Sequence, residues 1–412
     1  MPEQDTIAVV GAGVIGAAIA YALAREGRRV VLIDRAPPGV GGASFGNAGH
    51  VATELVEPLP SPALLFGFWR ELVALGGVLD IPIGRLPTFL PWALRFARAA
   101  FRREANTRHL APFVRPAVPA LIGMLRAAGR ADLIRQHGHY EIFLDGHAQR
   151  RADLQARVME KLEVATAPAP AHLLQVAGSA AQAQSVAGLW FPKCAHVLDP
   201  LEVVQAFAAA AARHGAVFLT RQVRALLARG TDLELVTDAG PVVVRRAIVC
   251  AGAWSAPLLR PFGCRVPLAA ARGYHVELPG IAALIDAPVV YSDQKIVVTP
   301  MTGRLRATSF MEFAGTDAPA DPRKPTWLRA RMRALGYACE ESASSWVGPR
   351  PVLPDYLPAI GRVATLPNLF YAFGHQHIGL TLCAVTARAV ADLVAGRKPE
   401  IDVAAFELRR FG

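Results

Sequence analysis

Cysteine is scarce in this chain of 412 residues. Five cysteines are present, an odd number, and they are scattered without any C-x-x-C pair: Cys194, Cys250, Cys264, Cys339 and Cys383. A disulfide framework needs paired cysteines and a structural zinc site needs closely spaced ones, so the sequence favours neither. We therefore expect a reducing compartment.

Long apolar runs are also few. Apart from residues 7–24, no uncharged run approaches the length needed to cross a bilayer. That one run ends in Ala22-Leu23-Ala24 and resembles the core of a signal peptide, but Glu3 and Asp5 stand where a secretory leader is basic. We expect a folded N-terminus and a protein that is cytoplasmic.

Basic clusters interleaved with aromatic residues are missing too. The formal net charge of +11 comes almost wholly from arginine, and the arginines are dispersed along the chain. Binders of single-stranded nucleic acid place basic and aromatic side chains together, so no nucleic-acid partner is expected. A length of 412 residues with 53% hydrophobic residues predicts two domains with ample cores.

The stretch Thr6–Asp34 has the pattern of a strand, a tight turn, a helix and a second strand. The turn carries G-x-G-x-x-G, formed by Gly11, Gly13 and Gly16. In a dinucleotide fold the first glycine allows the turn, the second lets a pyrophosphate approach, and the third lets the helix lie close to the sheet. Asp34 ends the second strand, where a carboxylate can accept hydrogen bonds from a ribose.

The start of this helix supplies further candidate cofactor contacts. Its unpaired N–H groups, at Val14 and Ile15, are predicted to face the phosphates, and Arg35 follows the ribose-binding acid. An ordinary glycine-rich helix cap is the structural alternative, but it does not explain the acid at this spacing.

A loop of small residues follows, PPGVGGASFGNAGHVATE. Placed after the second strand of a dinucleotide fold, it can wrap the rest of a cofactor. Ser44 and Asn47 are its candidate hydrogen-bond donors, and His50 is placed to reach the reactive face. A flexible surface loop is the alternative, since glycine and serine mark turns by themselves.

GAGVIG followed by SFGNAGH resembles the FAD-dependent amino-acid oxidoreductases of the D-amino-acid oxidase superfamily, in particular the D-amino-acid dehydrogenase branch. The resemblance covers nearly the whole chain. It implies FAD as cofactor and an α/β fold with two domains. The first is a discontinuous Rossmann-like FAD-binding domain, residues 1–59, 195–265 and 346–412. The second is an α+β substrate domain with a mainly antiparallel sheet, residues 60–194 and 266–345.

The resemblance also implies contacts in the middle of the chain. The main chain of Val223 is expected to meet the adenine, and the AGAWS pattern places Ala251 and Gly252 beside the dinucleotide. Before them, Asp199-Pro200 begins a predicted helix that ends at Gly215, as capping preferences require.

The segment WALRFARAAFRREANTRHL predicts one basic amphipathic helix near 92–108. Trp92 and Phe96 share one face, and a second face carries Arg95, Arg98 and Arg102. Such a helix can rest on anionic lipid, which suggests peripheral contact with the inner face of the plasma membrane. The alternative is a helix that is packed inside and solvated outside.

Residues 136–190 contain strand-like pieces, HYEIFLD and HLLQVAG, without a chemical signature. Alternating strands from 266 to 346 predict an antiparallel sheet. Tyr291, Arg306 and Glu312 on these strands are expected to be structural. Tyr274 is a stronger candidate, because its RGY context resembles the substrate-facing strand of the family.

The last segment contains the most motifs. VGPRPVLPDYLPAIGR resembles the family stretch that contains the substrate arginine, so Arg350 is predicted to bind the substrate carboxylate through two parallel hydrogen bonds. A structural salt bridge is the alternative. The turn GHQHIGLT then begins a helix whose N–H groups, at Gly379, Leu380 and Thr381, are expected to stabilise negative charge on the reduced flavin.

The chemistry this implies is hydride loss from a substrate Cα–H to flavin N5 while the amine is neutral. Arg350 anchors the substrate and Tyr274 shares that role. His50, His375 or His377 accepts or orients the amine proton. A metal held by the last two histidines is the alternative, but no further ligands are evident, so no metal is expected.

Within the branch, GHQHIGLT resembles the turn of single-component cis-4-hydroxy-D-proline dehydrogenases. The resemblance implies a small D-amino or D-imino acid substrate, with electrons passing to a quinone or another carrier. An oxidase remains open, because Lys295 and the histidines can favour reduction of oxygen. A flavin-binding subunit of a larger dehydrogenase also remains open. A nicotinamide enzyme would leave the loop at 41–50 and the C-terminal turn without a purpose.

Overall fold

The computed structural model describes residues 5–174, 181 and 185–412. Strands and helices are numbered along the chain. One sheet of six strands, within the described residues, consists of β1 (Ile7–Val10), β2 (Val30–Asp34), β10 (Val217–Thr220), β14 (Arg246–Val249), β20 (Ala359–Val363) and β21 (Leu366–Phe373). Its spatial order is β10-β2-β1-β14-β21-β20.

This sheet is parallel except at one edge. β1 lies between β2 and β14, and both neighbours run parallel to it. Only β20 pairs in the antiparallel direction, with β21. The central strands β1, β2 and β14 are short, mostly buried apolar runs, as a doubly covered parallel sheet requires, whereas the edge strand β10 is partly exposed, with Val217 53% exposed. The predicted Rossmann-like layer is confirmed.

Helices cover both this layer and the second one. Those described are α1 (Val14–Arg25), α2 (Pro62–Gly67), α3 (Leu86–Ala100), α4 (Arg103–Val114), α5 (Ala117–Ala127), α6 (Ala148–Lys161), α7 (Pro200–Arg213), α8 (Ser255–Leu259), α9 (Arg323–Ala334) and α10 (Gly379–Val394). α1 packs against both α7 and α10. The Asp199 carboxylate caps α7 by accepting from the Leu201 N–H at 2.8 Å, which matches the predicted helix start.

A second, larger sheet is mainly antiparallel, as predicted. It consists of β4 (Leu79–Asp80), β6 (His139–Phe143), β7 (Ala167–Pro168), β8 (Ala187–Phe191), β15 (Ala269–Pro279), β16 (Val289–Tyr291), β17 (Ile296–Met301), β18 (Arg304–Glu312) and β19 (Ser345–Val352). β15 pairs on one side with β18 and on the other with β19, both antiparallel. It has its own apolar core, which includes Val276, Val298 and Leu328.

Two small sheets flank these layers. The first consists of β11 (Val223–Arg229), β12 (Asp232–Thr237) and β13 (Val242–Val244). The second consists of β3 (His50–Val51), β5 (Ile134–Arg135) and β9 (Ala195–Val197), and it sets His50 opposite His196.

The helix predicted near 92–108 is two helices. α3 ends at Ala100 and α4 begins at Arg103, and the face of Trp92 and Phe96 points inward against Phe313 and Tyr356. The Trp92 ring nitrogen also donates to the carbonyl oxygen of Val352 at 3.2 Å. The face of Trp92 and Phe96 is therefore packed against the rest of the protein, as the alternative of a helix packed inside and solvated outside expects.

The segment Arg103–Ala127 is long and apolar enough to cross a membrane by length and composition. In this structure it forms α4 and α5, which join the core of the parallel sheet through Phe113, Val114 and Leu121. Burial in that core accounts for its hydrophobicity.

At two places an element packs in a different layer from the one that the predicted domain boundaries assign to it. α4 and α5 were expected in the substrate domain, yet they pack in the core with α1 and α10. β19, which carries Arg350, was expected in the FAD-binding domain and pairs with β15 of the antiparallel sheet. Of the strand-like pieces, HYEIFLD contains β6. In HLLQVAG, residues 172–174 are helical and 175–178 lie outside the described residues.

Candidate active site

A cavity of about 740 Å³ extends from the carboxyl ends of the parallel strands to the face of the antiparallel sheet. Its walls include Gly13 and Asp34 at one end, and Arg350 and His377 at the other. Ligands of open α/β sheets bind outside the carboxyl ends of the strands, so the cavity occupies the expected position. The predicted cofactor cradle and the predicted substrate arginine thus border one continuous space.

The glycine triplet is required by sterics. Gly11 has φ of 109°, and a Cβ there would overlap the carbonyl of Cys250. A Cβ on Gly16 would overlap the carbonyl oxygen of Gly11, so only glycine lets α1 begin this close to β1. Gly13 stands at the N-cap of α1 and faces the cavity. This geometry fits a phosphate cradle.

The N–H groups at the start of α1 are used unequally. The Val14 N–H donates to Ser44 Oγ at 2.9 Å, so Val14 fixes the following loop and is not a free phosphate donor. Ile15 lines the cavity, and its N–H has no acceptor among the described residues. The Ser44 hydroxyl remains at the cavity wall with its own proton available to a ligand.

Asp34, the last residue of β2, is hydrogen-bonded to the glycine turn that follows β1. One carboxylate oxygen accepts from the Ala12 N–H at 2.6 Å and the other from the Ala36 N–H at 3.1 Å. Asp34 also lines the cavity, where its remaining lone pairs can accept from a ribose. The guanidinium of Arg35 lies 3.9 Å from the centre of the Trp254 ring, and both residues line this end of the cavity.

The loop after β2 is held by residues of the antiparallel sheet that the sequence did not single out for this role. Arg306 donates to the carbonyl oxygen of Asn47 at 2.8 Å, and a ring nitrogen of His275 lies 3.2 Å from the Gly46 carbonyl oxygen. The Asn47 side chain accepts from the Gly49 N–H at 2.8 Å and so shapes the loop itself. A Cβ on Gly46 would overlap the Trp346 ring, which explains the glycine.

Three predicted contacts with the nucleotide line the same wall. These are Val223, Ala251 and Gly252. Gly252 has φ of 53° and begins a short turn at the end of β14, where a side chain would be strained.

The N-terminus of α10 points toward the cavity. Gly379 and Leu380 line it, whereas the Thr381 side chain is fully buried and accepts from the Ala52 N–H at 3.0 Å. The main-chain N–H groups of these three helix residues have no acceptor in the described part of the chain, as expected for a first helical turn. They provide positive potential for a ligand anion.

Arg350 lies on β19 with its guanidinium directly over Gly273 of β15. A Cβ on Gly273 would overlap that guanidinium, so the glycine makes room for it. One guanidinium nitrogen donates to the Phe310 carbonyl oxygen at 2.9 Å. Burial lowers the pKa of Arg350 from its ordinary value, although the group stays charged.

Arg350 is partly buried and differs from two fully buried arginines of the same sheet. Arg272 pairs with Glu312 and Arg306 pairs with Glu277. Among the described residues, no carboxylate lies within salt-bridge distance of Arg350. A desolvated charge without a counter-charge is unfavourable, so this guanidinium fits an anionic ligand in the cavity.

The structure does not bring the Tyr274 hydroxyl to Arg350. Neighbouring strand residues point to opposite faces, and Arg350 occupies the face of Gly273. The Tyr274 hydroxyl donates to Glu312 at 2.9 Å and accepts from the Asp321 N–H at 3.1 Å. Its hydrogen-bonding groups are therefore engaged behind the sheet, although part of the residue borders the cavity.

The three predicted histidines all border the cavity and are neutral at pH 7. The His377 side chain is exposed to the cavity, and desolvation there lowers the pKa of His377 to about 4, with a further contribution from the charge of Arg350. Burial likewise lowers the pKa of His50 to about 3, assisted by His196 and His377. His377 thus lies near enough to Arg350, and His50 near enough to His377, for their charges to interact.

His375 is directed differently. Its Nε2 lies 3.0 Å from the Thr386 hydroxyl on α10, and burial lowers its pKa to about 3. Its Nδ1 has no hydrogen-bond partner in the described part of the structure.

His50 also belongs to a buried cluster that sequence spacing does not reveal. Its Nε2 lies 3.8 Å from Glu54, which lies at the same distance from His139 and accepts from the Cys194 thiol at 3.0 Å. Burial raises the pKa of Glu54 to about 7. One potential metal-ligand atom from each of these four residues lies within 4.8 Å of the others. Neither His375 nor His377, the histidines of the predicted alternative metal site, belongs to this group.

Comparisons with known proteins give a family match over most of the chain. Residues 6–393 match the DAO family, described as FAD dependent oxidoreductase. The chain is 31% identical over 428 aligned positions to a D-amino-acid oxidase of Bradyrhizobium diazoefficiens, covering 100% of both proteins. It is 31% identical over 427 positions to a D-amino acid dehydrogenase of Paramagnetospirillum magneticum, covering 98% of each.

Solved structures share the fold. Glycine oxidase from Geobacillus kaustophilus superposes with a TM-score of 0.74 at 23% identity, over 98% of this chain and 99% of that one. L-proline dehydrogenase from P. horikoshii gives a TM-score of 0.73 at 19% identity, over 100% of this chain and 98% of that one. At these identities the likeness shows the fold alone.

Proposed function

Because this chain belongs to the family of FAD-dependent oxidoreductases named DAO, for which FAD is the cofactor, we propose that it oxidises the Cα–N bond of a small D-amino or D-imino acid. When bound, FAD supplies the acceptor for the hydride that leaves the substrate Cα. The predictions of an FAD-dependent oxidoreductase and of its cofactor are confirmed. The nature of the substrate and of the electron acceptor belongs to the proposal.

The observation that carries the proposal is the partly buried Arg350, which has no carboxylate partner among the described residues and lies in the same cavity as the nucleotide cradle. A carboxylate is the ligand that best matches a planar guanidinium, because two parallel hydrogen bonds form. An amino or imino acid bound in this way projects its Cα and nitrogen into the cavity.

The side chains around Arg350 suit an amine that must be neutral. A buried site beside a positive charge disfavours a second positive charge, so it lowers the pKa of a bound ammonium group. His377, neutral and close to Arg350, can accept a hydrogen bond from that amine. With a pKa of about 4, the His377 side chain is a weak base at pH 7. It can orient the amine through a hydrogen bond, and the proton that the amine loses passes to solvent.

We rank cis-4-hydroxy-D-proline first among the substrates, oxidised to a pyrroline carboxylate. The support is the turn GHQHIGLT, which carries His377 and begins α10. The named relatives act on D-amino acids according to their names, which supports the D-series.

Anaerobic stopped-flow spectroscopy of the FAD-loaded protein tests this ranking. We expect cis-4-hydroxy-D-proline to bleach the bound flavin faster than D-proline, and D-proline faster than D-alanine. Fastest reduction by D-alanine would overturn the hydroxyproline assignment. Absence of reduction by any D-amino acid would overturn the activity and favour a flavin-binding subunit of a larger dehydrogenase.

We further propose that the electrons pass to a quinone or another carrier and not to oxygen. Superoxide formation is favoured by a free positive charge, and the positive side chains here are occupied. Lys295 borders the cavity but pairs with Glu71 at 3.8 Å, and the cavity histidines are neutral. Arg350 would hold the substrate carboxylate.

An oxidase is the second candidate, because one relative of equal identity is named D-amino-acid oxidase. Turnover in air discriminates the two. We expect reduction of a soluble quinone or dye with little peroxide, whereas stoichiometric peroxide would establish the oxidase. The cytoplasm is the proposed compartment for either activity.

A further inference from the structure

Exposed apolar side chains are concentrated in one short part of the chain. Of the 16 large hydrophobic residues exposed in the described structure, ten lie between residues 59 and 101. Phe66 is 79% exposed and Ile83 is 84% exposed. α2, which carries Phe66, packs against α3, so these residues belong to one surface. Contiguous exposed apolar surface of this kind marks an interaction site.

α3 has an outward leucine stripe, which we define as Leu86, Leu90 and Leu94. Residues four apart lie on the same side of a helix, and these three are 46%, 57% and 57% exposed. The opposite side of α3 already packs against the protein through Trp92 and Phe96. The packing of α3 against the protein therefore does not use the leucine stripe.

Unpaired arginines border the leucine stripe. Arg95 and Arg98 lie on the exposed side of α3, and Arg102 follows the helix. Arg70 and Arg85 are exposed nearby, and Arg70 stacks on Trp69. None of these five arginines has a carboxylate partner among the described residues. An apolar stripe flanked by arginines is typical of a helix that lies in a membrane interface.

We propose that the leucine stripe and its flanking arginines bind the surface of an anionic lipid bilayer, with α3 lying in the plane of the interface. This surface lies on the side of α3 opposite to Trp92 and Phe96. Those two residues, and not the leucine stripe, form the apolar face that the sequence pattern indicates. The contact is peripheral, because Arg103–Ala127, the one segment of the described residues that is long enough to span, contributes to the core.

Charge favours lipid over a second copy of the chain. Self-association through this face would bring the same unpaired arginines together, and the whole chain carries a net charge of +11. Anionic headgroups complement the arginines, while the leucines and the outermost side chains, Phe66 and Ile83, reach the acyl boundary.

Co-sedimentation of the FAD-loaded protein with vesicles tests the proposal directly. The probes are phosphatidylcholine vesicles with and without phosphatidylglycerol, at low and high salt. We expect binding to the anionic vesicles only, weakened by salt. Replacing Leu86, Leu90 and Leu94 together by Ser should weaken binding at least about tenfold, because their transfer from water is lost.

A matched variant controls for the loss of exposed apolar surface in general. Leu154, Val243 and Leu284 are 63%, 53% and 61% exposed and lie away from α3, so their joint replacement by Ser should leave binding unchanged. A charge variant, with Arg95, Arg98 and Arg102 replaced by Gln, should bind about tenfold or more weakly at low salt. Retained flavin absorbance and dye-linked turnover verify that each variant is folded.

Three outcomes would overturn the proposal. The first is wild-type protein that stays in the supernatant with anionic vesicles at low salt. The second is equal binding by the leucine-stripe variant and its matched control. The third is a dimer, seen by analytical ultracentrifugation, that dissociates in the leucine-stripe variant while vesicles capture neither protein. None of these readouts depends on the substrate.

Discussion

At the scale of single residues, the guanidinium of Arg350 borders the cavity with no carboxylate beside it in the described structure. Replacing Arg350 by Gln should lower kcat/KM for the substrate at least about 100-fold, because a buried charge pair with the substrate is lost. Steady-state kinetics with a dye acceptor measures this. Arg350→Lys should restore little, since an ammonium group makes no bidentate contact.

The control for Arg350 is Arg362→Gln, which removes an exposed arginine on the edge strand β20. This variant should behave as wild type. If Arg350→Gln kept both kcat/KM and the preference for carboxylate substrates, the guanidinium would have another role.

Gly273 provides the space that Arg350 occupies. A Cβ at Gly273 would overlap the guanidinium, so Gly273→Ala should move the anchor and raise KM, by up to about 100-fold. FAD binding should be unchanged, because the nucleotide cradle lies at the other end of the cavity. Titration of flavin content beside kinetics checks both parts. Gly84→Ala, at an open position, is the matched control.

The two residues illustrate what the sequence could predict at this scale. Arg350 stood in a recognisable motif. Gly273 lies in the RGY context, but that motif was interpreted through Tyr274, although a glycine within a strand indicates close approach of another group. Tyr274 was favoured by its neighbours in sequence, but pleating directs its hydroxyl behind the sheet, to Glu312. Which side of a strand faces the site depends on the pairing of distant segments.

At the scale of elements, the unit β1, turn and α1 determines whether FAD is held. Gly11 has φ of 109° and no space for a Cβ, so Gly11→Ala should yield protein with little or no bound flavin. The ratio of flavin to protein absorbance measures this. Gly123→Ala, at an open position in α5, should retain the flavin. Full flavin content in Gly11→Ala would mean that the turn tolerates displacement.

Periodicity predicted several elements well, among them β1, α1, β2 and α7. It did not predict the break between α3 and α4, and it left open whether the face of Trp92 packs inward or meets lipid. α3 has apolar residues on two sides, and a sequence alone does not say which side meets the protein. The packing partners of Trp92, such as Phe313, lie more than 200 residues away in the chain.

At the scale of the whole molecule, the buried neutral histidines make stability depend on pH. The pKa of His375 is about 3 and that of His50 is also about 3, below the ordinary value of 6.5. Between these values the unfolded chain binds protons that the folded chain does not. Their contribution to stability is present above pH 6.5 and is lost as the pH falls.

Glu54 has the opposite sign. Its pKa is raised to about 7, so its contribution is present below pH 4.5 and is lost as the pH rises through 7. The two histidines outnumber this single glutamate, so the histidines dominate the change of stability between pH 7 and pH 5. We expect urea midpoints of the FAD-loaded protein to be highest near pH 7 and clearly lower at pH 5.

A variant isolates one histidine in this balance. His375 is 2% exposed, and at pH 5 its burial should cost roughly 2 kcal/mol relative to pH 7. His375→Asn should therefore reduce the difference between the two pH values by about that amount. An unchanged pH dependence in this variant would mean that His375 is protonated in the folded protein.

α1 and α10 pack against each other, although one comprises residues 14–25 and the other residues 379–394. The hydrogen bond from the Ala52 N–H to Thr381 joins the same distant parts. During synthesis on the ribosome, residues 14–25 are made well before residues 379–394. The wall of the coenzyme site is therefore completed only after α10 has emerged, so we expect flavin loading to follow the synthesis of α10.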